Sequence, residues 1–496
     1  MAESAGIGEQ GDRPELADIG RMARRLVRLA VSAARADDAP VPAMLRGHLG
    51  PHAADLPVVG GSWRGYDQVN LQAGLDAWLA GPLREHELTG VTGLRNSGSG
   101  LAGLLRPGAD AAGIGVGGVA MTARPAGPAG LTRACVACGL YLVNDGGTPL
   151  AVLLRGPDER DPDGDASLEV ACADPAAARD VLDEVRRQAV ARNVFRGHVV
   201  TFGEPVFGYP PGGGLLRFLD RPRLDRAAVV LPDEVLGDIE RQVVGVTRHA
   251  GRLRASGQHL GRGVLLHGAP GTGKTHTVRY LIGRLPAVTV VVLSGHALRW
   301  ITEACSVART LQPSVVVVED VDLIAEEGGP RIAPHPMLFR LLAEMDGLGE
   351  DADVTFLLTT NRPDLLEAAL AARPGRIDHA AELPVPDAEA RRRLIALYQG
   401  GLTLDVTDLD GVIKRTDGVT AAFIKELLRR AALLAAEACA GPADAPLRVT
   451  DAHLGAALDQ LLDARGALTR SLLGGRGQDA VIRPMGADAV IRAWRA

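Results

Sequence analysis

Eight consecutive residues, Gly268-Ala269-Pro270-Gly271-Thr272-Gly273-Lys274-Thr275, have the composition needed to hold a polyphosphate. Glycines let backbone N–H groups close around phosphate oxygens, a lysine ammonium reaches the β- and γ-phosphates, and a threonine hydroxyl ligates Mg2+. The setting fits too: the apolar run Gly263-Val264-Leu265-Leu266-His267 precedes the motif and a helix-compatible stretch follows it. Lysine is scarce here, with only Lys274, Lys414 and Lys425 against 51 arginines. One of them stands where a compact ammonium fits as a point charge and a planar guanidinium does not.

A phosphate loop specifies nucleotide binding, whereas hydrolysis also requires acidic groups near the metal and the attacking water. Ser314-Val315-Val316-Val317-Val318-Glu319-Asp320-Val321-Asp322 supplies them. Its valines read as a buried strand, and carboxylates just past the C-terminal end of such a strand lie where ligands bind in parallel sheets. By position Glu319 would hold the metal's water shell and Asp320 would polarise the attacking water. Val354-Thr355-Phe356-Leu357-Leu358-Thr359-Thr360-Asn361 is a second apolar strand, ending on an amide that could orient that water or sense the γ-phosphate. Arg373-Pro374-Gly375-Arg376-Ile377-Asp378 offers arginines, which suit the charge of a transferring phosphoryl group. Taken without the other elements, those arginines read more readily as a solvated surface pair. His276 reads as a group that brushes the adenine or faces solvent.

These elements need a scaffold, and from about residue 227 strands alternate with helices: 231–247, 263–266, the helix after Lys274, 289–293, 315–318 and 354–358. Such alternation implies a parallel α/β sheet. After Pro386, apolar stripes at helical spacing over 388–398, 421–440 and 450–464 predict a smaller helical domain. The earlier part of the chain reads differently. Helical spacing over 14–36 and 66–81 gives way to a Gly-, Ala- and Pro-rich stretch from Ser97 to Gly130 that predicts loops. Strand-like runs at 140–143, 150–154, 168–171 and 198–202, with a helical 176–192 among them, predict an α+β domain. Gly208-Tyr209-Pro210-Pro211-Gly212-Gly213-Gly214 reads as the linker at its end.

In their order, Gly268 to Thr275, Val315 to Asp320, Thr359-Thr360-Asn361-Arg362-Pro363 and Arg373 to Asp378 resemble the AAA family of ATPases, over residues 225–465. The lead-in from Leu231-Pro232-Asp233-Glu234-Val235 to Gly245 is similar to that family as well. The resemblance implies a fold class: an α/β P-loop parallel-sheet AAA core with a C-terminal helical lid, preceded by an α+β N-terminal domain. The bounds are then 1–222 for a client or adaptor domain, 223–385 for the core, 386–466 for the lid and 467–496 for a tail. It also implies ATP and Mg2+, with Gly268, Pro270, Gly271, Thr272, Gly273, Lys274, Thr275 and His276 around the nucleotide. Thr275 and Glu319 would hold the metal, and Asp320, Glu319 and Asn361 would act in catalysis. The family forms homo-oligomeric rings, usually hexamers, so Arg373 and Arg376 would complete a neighbour's site across a heterologous, closed contact.

Three departures from the family pattern bear on mechanism. The order Glu319 then Asp320 reverses the usual acidic pair and shortens the water-polarising side chain by a methylene, which predicts slow but real hydrolysis. The segment Ser294-Gly295-His296-Ala297-Leu298-Arg299-Trp300-Ile301 runs on to Pro313 with roughly ten residues fewer than many polypeptide-threading members. Trp300 and Ile301 therefore read as core groups of an amphipathic helix in preference to a shortened grip. In the lid, the expected Gly-Ala pair is Ala421-Ala422, still small enough for close approach to nucleotide.

The totals bound what remains. A chain of 496 residues accommodates several domains. A net charge of −6 and a pI near 6.1 argue against a generally basic nucleic-acid binder. Apolar runs fall far short of the ~20 residues that span a bilayer, and the first residues lack the apolar core of a secretory signal, so a cytoplasmic location and no membrane are expected. Five cysteines are too few for a disulfide framework, and Cys135-Val136-Ala137-Cys138, with no second pair at metal-ligand spacing, reads as two core thiols. Glu326-Glu327 and Arg391-Arg392-Arg393 read as solvated helix faces. Three functions fit this pattern. The first is an ATP-driven ring that remodels protein clients recruited by residues 1–222. The others are a nucleotide-gated regulatory scaffold with slow turnover, and a nucleic-acid motor or loader, which the acidity disfavours.

Overall fold

The computed structural model describes residues 40–94, 100–106, 114–157, 164–203, 216–322, 336–347, 352–364, 376–439 and 446–462. The helix expected over 14–36, the linker at 208–214, Glu326-Glu327, Arg373 and the tail from 467 lie outside these described residues. The chain divides into two compact units, Met1–Phe195 with Gly203–Phe218, and Arg196–Phe202 with Leu219–Ala496.

In the first unit the strands are β1 (Val58–Trp63), β2 (Arg84–Thr92), β3 (Gly115–Gly117), β4 (Ala120–Pro125), β5 (Thr132–Asp145), β6 (Thr148–Arg155) and β7 (Ala166–Ala171). They form an antiparallel sheet of order β1-β7-β6-β5-β2-β3, with β4 also on β5. The helices are α1 (Pro40–Leu49), α2 (Gln68–Leu79), α3 (Leu101–Leu105) and α4 (Pro175–Ala191). Because successive side chains of a strand point to opposite faces, β6 feeds two cores. Val152 and Leu154 meet Leu71, Leu75 and Trp78 of α2 and Val181, Leu182 and Val185 of α4. Ala151 and Leu153 meet Val41 and Leu45 of α1 and Leu101 and Leu104 of α3. Both faces are covered, which is why β5 and β6 read as near-continuous apolar runs.

The Gly-rich stretch expected to be loops carries α3, β3 and β4 instead, because pairing with β2 and β5 outweighs its weak local propensity. The β4–β5 register shifts between Ala120 and Met121, leaving Ala137 of β5 without a partner across the pair. The backbone groups of Val136 beside this bulge are met by α2: Gln68 Nε2 donates to Val136 O at 2.9 Å and Gln72 Oε1 accepts from Val136 N at 2.9 Å. Cys135 and Cys138 are buried in this strand, and among the described residues no group of three or more His, Cys, Asp and Glu could hold a metal ion.

β9 (Leu216–Leu219) falls at the division, with Leu219 alone in the second unit, which otherwise contains β8 (Val199–Phe202), α5 (Asp233–Glu240), α6 (Val246–Ala255), β10 (Arg262–His267), α7 (Lys274–Gly283), β11 (Thr289–Leu293), α8 (Ile301–Thr310), β12 (Ser314–Val318), α9 (Pro336–Asp346), β13 (Val354–Thr360) and β14 (His379–Glu382). The sheet order within this unit is β14-β10-β13-β12-β11-β8, and all of these pairings are parallel. The sequence pattern placed 198–202 in the N-terminal domain, yet β8 pairs with β11, Val199 to Thr201 opposite Val290 to Val292. An apolar β-branched segment covers the edge that β11 would otherwise expose.

The remaining elements are α10 (Ala388–Gln399), β15 (Thr403–Asp405), α11 (Leu409–Arg415), α12 (Ala421–Ala438), β16 (Arg448–Thr450) and α13 (Asp451–Leu462). Leu394, Ile395, Phe423, Ile424, Leu427, Leu454 and Leu458 build their common core, and β15 and β16 add a short parallel pair. Arg391, expected on a solvated face, is only 4% exposed. It donates to Pro386 O at 2.9 Å and Ile413 O at 3.2 Å and pairs with Asp417 at 3.1 Å, while Arg392 and Arg393 stay exposed. No helix among the described residues is long and apolar enough to cross a membrane.

Candidate active site

β10 delivers the chain into the phosphate loop and α7 leaves it, so the loop's N–H groups and the positive end of the α7 dipole face the same space. Gly268 has φ 148°, and a Cβ there would lie 2.5 Å from Leu383 O; Gly273, just before α7, has φ 102°. Any other residue would be strained at both places. Lys274 is buried, with Nζ donating to Gly268 O at 2.8 Å and Ala269 O at 3.1 Å. Burial pushes its pKa below the usual lysine range, and the carboxylates of Asp320 and Asp322 oppose that shift. The lid reaches the loop directly: Ala422 N, in the first turn of α12, donates to Gly271 O at 3.1 Å. His276 Nε2 lies 3.0 Å from Ala228 O and ties α7 to the segment before α5.

The acidic pair sits at the end of β12, beside the end of β13. Glu319 is held by its backbone N–H to Leu293 O at 2.9 Å, and burial pushes its carboxyl above the usual range, opposed by a hydrogen bond from the Thr275 hydroxyl. Its Oε1 is buried without a hydrogen-bond partner among the described residues. An orphaned carboxylate oxygen beside the loop threonine fits a divalent cation, so Thr275 and Glu319 are the residues that would hold Mg2+. Asp320 has φ 52°, in the left-handed region, where aspartate is among the few side chains tolerated. The Thr359 hydroxyl accepts from Asp320 N at 3.0 Å and fixes that turn.

Asn361 reaches this cluster from β13, with Nδ2 3.5 Å from Asp320 Oδ1 and 3.4 Å from Asp322 Oδ2. Asp322 also accepts from Thr360 Oγ1 at 3.0 Å and from Asn361 N at 3.2 Å, both on Oδ1. Sequence reasoning assigned Asp322 no role. The signal was a third acid set behind the apolar Val321, a spacing that returns it toward the sheet.

The segment that carries Arg376 is pinned to β10. Gly263 N donates to Asp378 Oδ2 and Asp378 N to Gly263 O, each at 2.9 Å, and a Cβ on Gly263 would lie 2.0 Å from Arg376 O. The Arg376 guanidinium pairs with Asp346 at the C-terminal end of α9 and, among the described residues, makes no ion pair with the acidic cluster. Trp300 stacks on Phe202 of β8, with ring centroids 6.2 Å apart and planes 22° apart, and Ile301 is buried. Ile301 behaves as the core group that the spacing suggested, whereas Trp300 is half-buried at the end of the 3-10 turn that precedes α8.

A parallel sheet that feeds a glycine loop into a helix N-terminus, with acids at the neighbouring strand end and a polar amide on the next strand, defines a P-loop nucleotide-binding module. Residues 264–385 match the family described as ATPase family associated with various cellular activities (AAA). The chain thus carries an AAA domain over these residues. It is 35% identical over 219 residues to ATP-dependent zinc metalloprotease FtsH 2 of Symbiobacterium thermophilum, covering 41% of this chain and 37% of that protein. It is 32% identical over 231 residues to ATP-dependent zinc metalloprotease FtsH of Mycobacterium tuberculosis, covering 44% and 30%. Proteasome-activating nucleotidase of Methanosphaerula palustris is 32% identical over 225 residues, covering 41% and 54%. The chain thus spans between about a third and about half of the length of these relatives.

Proposed function

We propose that this chain binds ATP with Mg2+ at Gly268 to Thr275 and hydrolyses it to ADP and phosphate. The cycle would drive remodelling of protein clients recruited through residues 1–222, in a cytoplasmic homo-oligomeric ring, a hexamer as is usual in the family. The observation that carries the hydrolytic reading is the cluster of Asp320, Asn361 and Asp322 at the strand ends beside Lys274. Binding alone needs the loop, whereas an acceptor carboxylate beside a paired amide supports activation of an attacking water.

In this reading Lys274 leaves the Gly268 and Ala269 carbonyls and turns its ammonium to the β- and γ-phosphates, while the loop N–H groups hold the remaining oxygens. Pro270, Gly271 and Thr272 shape that cradle, and Thr275 and Glu319 would hold Mg2+, which would supply charge neutralisation at the phosphates. Asp320 accepts a proton from the attacking water and Asn361 fixes the water's direction. Arg373 and Arg376 serve the neighbouring subunit, and Arg376 exchanges its own-chain partner Asp346 for a neighbour's γ-phosphate. The link from Ala422 to Gly271 gives the lid a direct response to the state of the loop.

Steady-state phosphate release by the purified chain, with Lys274→Ala and Asp320→Asn beside it, tests the proposal. We expect both variants to lose turnover, with nucleotide affinity retained in Asp320→Asn. Turnover undiminished in Lys274→Ala would overturn it. One observation favours a second reading, a nucleotide-gated scaffold: Trp300 is packed on Phe202 and offers no free aromatic grip. Turnover that rises on adding a protein client removes the scaffold reading.

A further inference from the structure

We propose that Asp322 is a positioning residue for hydrolysis, one that sets which way the Asn361 side-chain amide faces. The inference rests on the hydrolytic reading above and adds to it a residue outside the loop, the metal-side pair and the arginines. An asparagine side chain offers two donors on nitrogen and an acceptor on oxygen, and its direction is decided by its neighbours. Here both neighbours are carboxylates: Asp320 Oδ1 at 3.5 Å and Asp322 Oδ2 at 3.4 Å from Asn361 Nδ2. Carboxylates only accept, so the NH2 must face them and the amide oxygen must face away.

Asp320 alone would not lock this arrangement, because one long contact leaves the amide free to rotate. Asp322 adds a second acceptor and is itself held rigidly. It is 6% exposed, and its Oδ1 takes the Thr360 hydroxyl at 3.0 Å and the Asn361 backbone N–H at 3.2 Å. Thr360 is fully buried, and its hydroxyl oxygen also accepts from Arg362 N at 2.9 Å. A hydroxyl that already accepts there has its proton left for Asp322. The chain of contacts runs from a buried strand end, through one carboxylate, to the amide beside the water-polarising acid.

Asp322→Asn tests this with little change of shape. One oxygen can still take the Thr360 hydroxyl and the Asn361 N–H, but the other position becomes an NH2 facing the Asn361 NH2. Two donors repel while Asp320 still repels the amide oxygen, so neither orientation satisfies both neighbours and the Asn361 amide loses its single fixed direction. We expect kcat to fall about 30- to 100-fold, in the range that follows an ångström-scale misplacement of a catalytic group. KM and the affinity for a fluorescent ATP analogue should change far less than kcat, within about fivefold, since Asp322 acts on the phosphate loop only through its charge on Lys274. Asn361→Ala should fall by a similar factor, and the double variant should be no slower than Asn361→Ala alone, because both changes remove one function.

Thr360→Val, which deletes the hydroxyl that holds Asp322, provides an independent variant and should lower kcat several-fold with KM unchanged. An Asp322→Asn enzyme with wild-type kcat, or losses that multiply in the double variant, would overturn the positioning role. A wild-type chain that binds the analogue and never turns over ATP would instead overturn the hydrolytic reading, and the inference with it. The two failures are distinguishable because the first requires an active wild type.

Discussion

Replacing Arg221 by alanine should cost this protein about 2–4 kcal/mol of stability, a large loss for a partly exposed arginine. The guanidinium donates from Nη1 to Ile282 O at 2.9 Å and Leu285 O at 2.7 Å, and from Nη2 to Gly197 O at 2.8 Å and Val288 O at 2.9 Å. Ile282 O belongs to the last turn of α7 and Leu285 O to the turn just after it, each also accepting one backbone N–H; the others precede β11 and β8. One side chain therefore joins the helix that follows the phosphate loop to two strands of the sheet. Burial lowers the Arg221 pKa, the signature of a cation held by dipoles in place of an anion. Hydrogen bonds from charged groups contribute about 1.5–3 kcal/mol when buried; with water able to reach part of this site, about 1 kcal/mol each is the appropriate figure. Four of them sum to about 4 kcal/mol, and partial replacement by water after truncation brings the expected loss to about 2–4 kcal/mol. For a unit of this size that lowers Tm by about 3–7 °C. Urea denaturation followed by circular dichroism, on wild type, Arg221→Lys and Arg221→Ala without nucleotide, reads the effect. Lysine presents its donors at one point and cannot span four carbonyls, so it should recover less than half of the loss. An alanine variant within about 0.5 kcal/mol of wild type, or a lysine variant equal to it, would refute the reasoning.

Two further outcomes follow from other parts of the molecule. Burial raises the Asp67 carboxyl from 3.8 to about 6, against a hydrogen bond from Asn70 Nδ2 at 2.6 Å. The folded state then binds a proton that the unfolded state releases, so the stability it contributes is complete below about pH 4 and is lost as pH rises through about 6. Asp67→Asn keeps the acceptor oxygen for Asn70 and removes the buried charge; it should stabilise the protein by up to about 3 kcal/mol at pH 7.5 and hardly at all at pH 4. Equal urea midpoints for variant and wild type at pH 7.5 would contradict this. Phe202→Ala, in a fully buried ring position, should cost about 3–5 kcal/mol and should be less than additive with Trp300→Ala, since the two rings stack on each other. If Trp300 instead grips clients, its replacement would abolish client-stimulated turnover while Phe202→Ala left that stimulation intact.

Much of the site is legible in sequence because its chemistry is local. Gly268 to Thr275 act through adjacent backbone groups, and the apolar runs that became β10 to β13 announce themselves by uninterrupted Val and Leu. The lid helices show through their 3.6-residue stripes for the same reason, and the small pair Ala421-Ala422 stands in the first turn of α12, where Ala422 N meets Gly271 O. Sequence alone thus determined that a triphosphate-binding loop stands between a strand and a helix, with acids, an amide and arginines in a fixed order after it.

The tertiary structure decided what depends on residues far apart in the chain. Nothing local distinguishes β8 from the strands of the first unit; its place follows from the vacant edge of β11, some ninety positions later. Arg391 carries the same local signal as its two neighbours, yet only its side chain points at the Ile413 and Pro386 carbonyls, which become available once the lid folds. Asp322 gains its role from Thr360 and Asn361, which parallel pairing of β12 with β13 brings beside it. Arg376 is committed to Asp346 in the single chain, a pairing set by the packing of α9 and by the fit of Gly263 beneath the Arg376 carbonyl. The physical reason is common to all four. Backbone conformation and phosphate recognition are encoded within a few residues, whereas burial and pairing are properties of surfaces that exist only after distant segments meet.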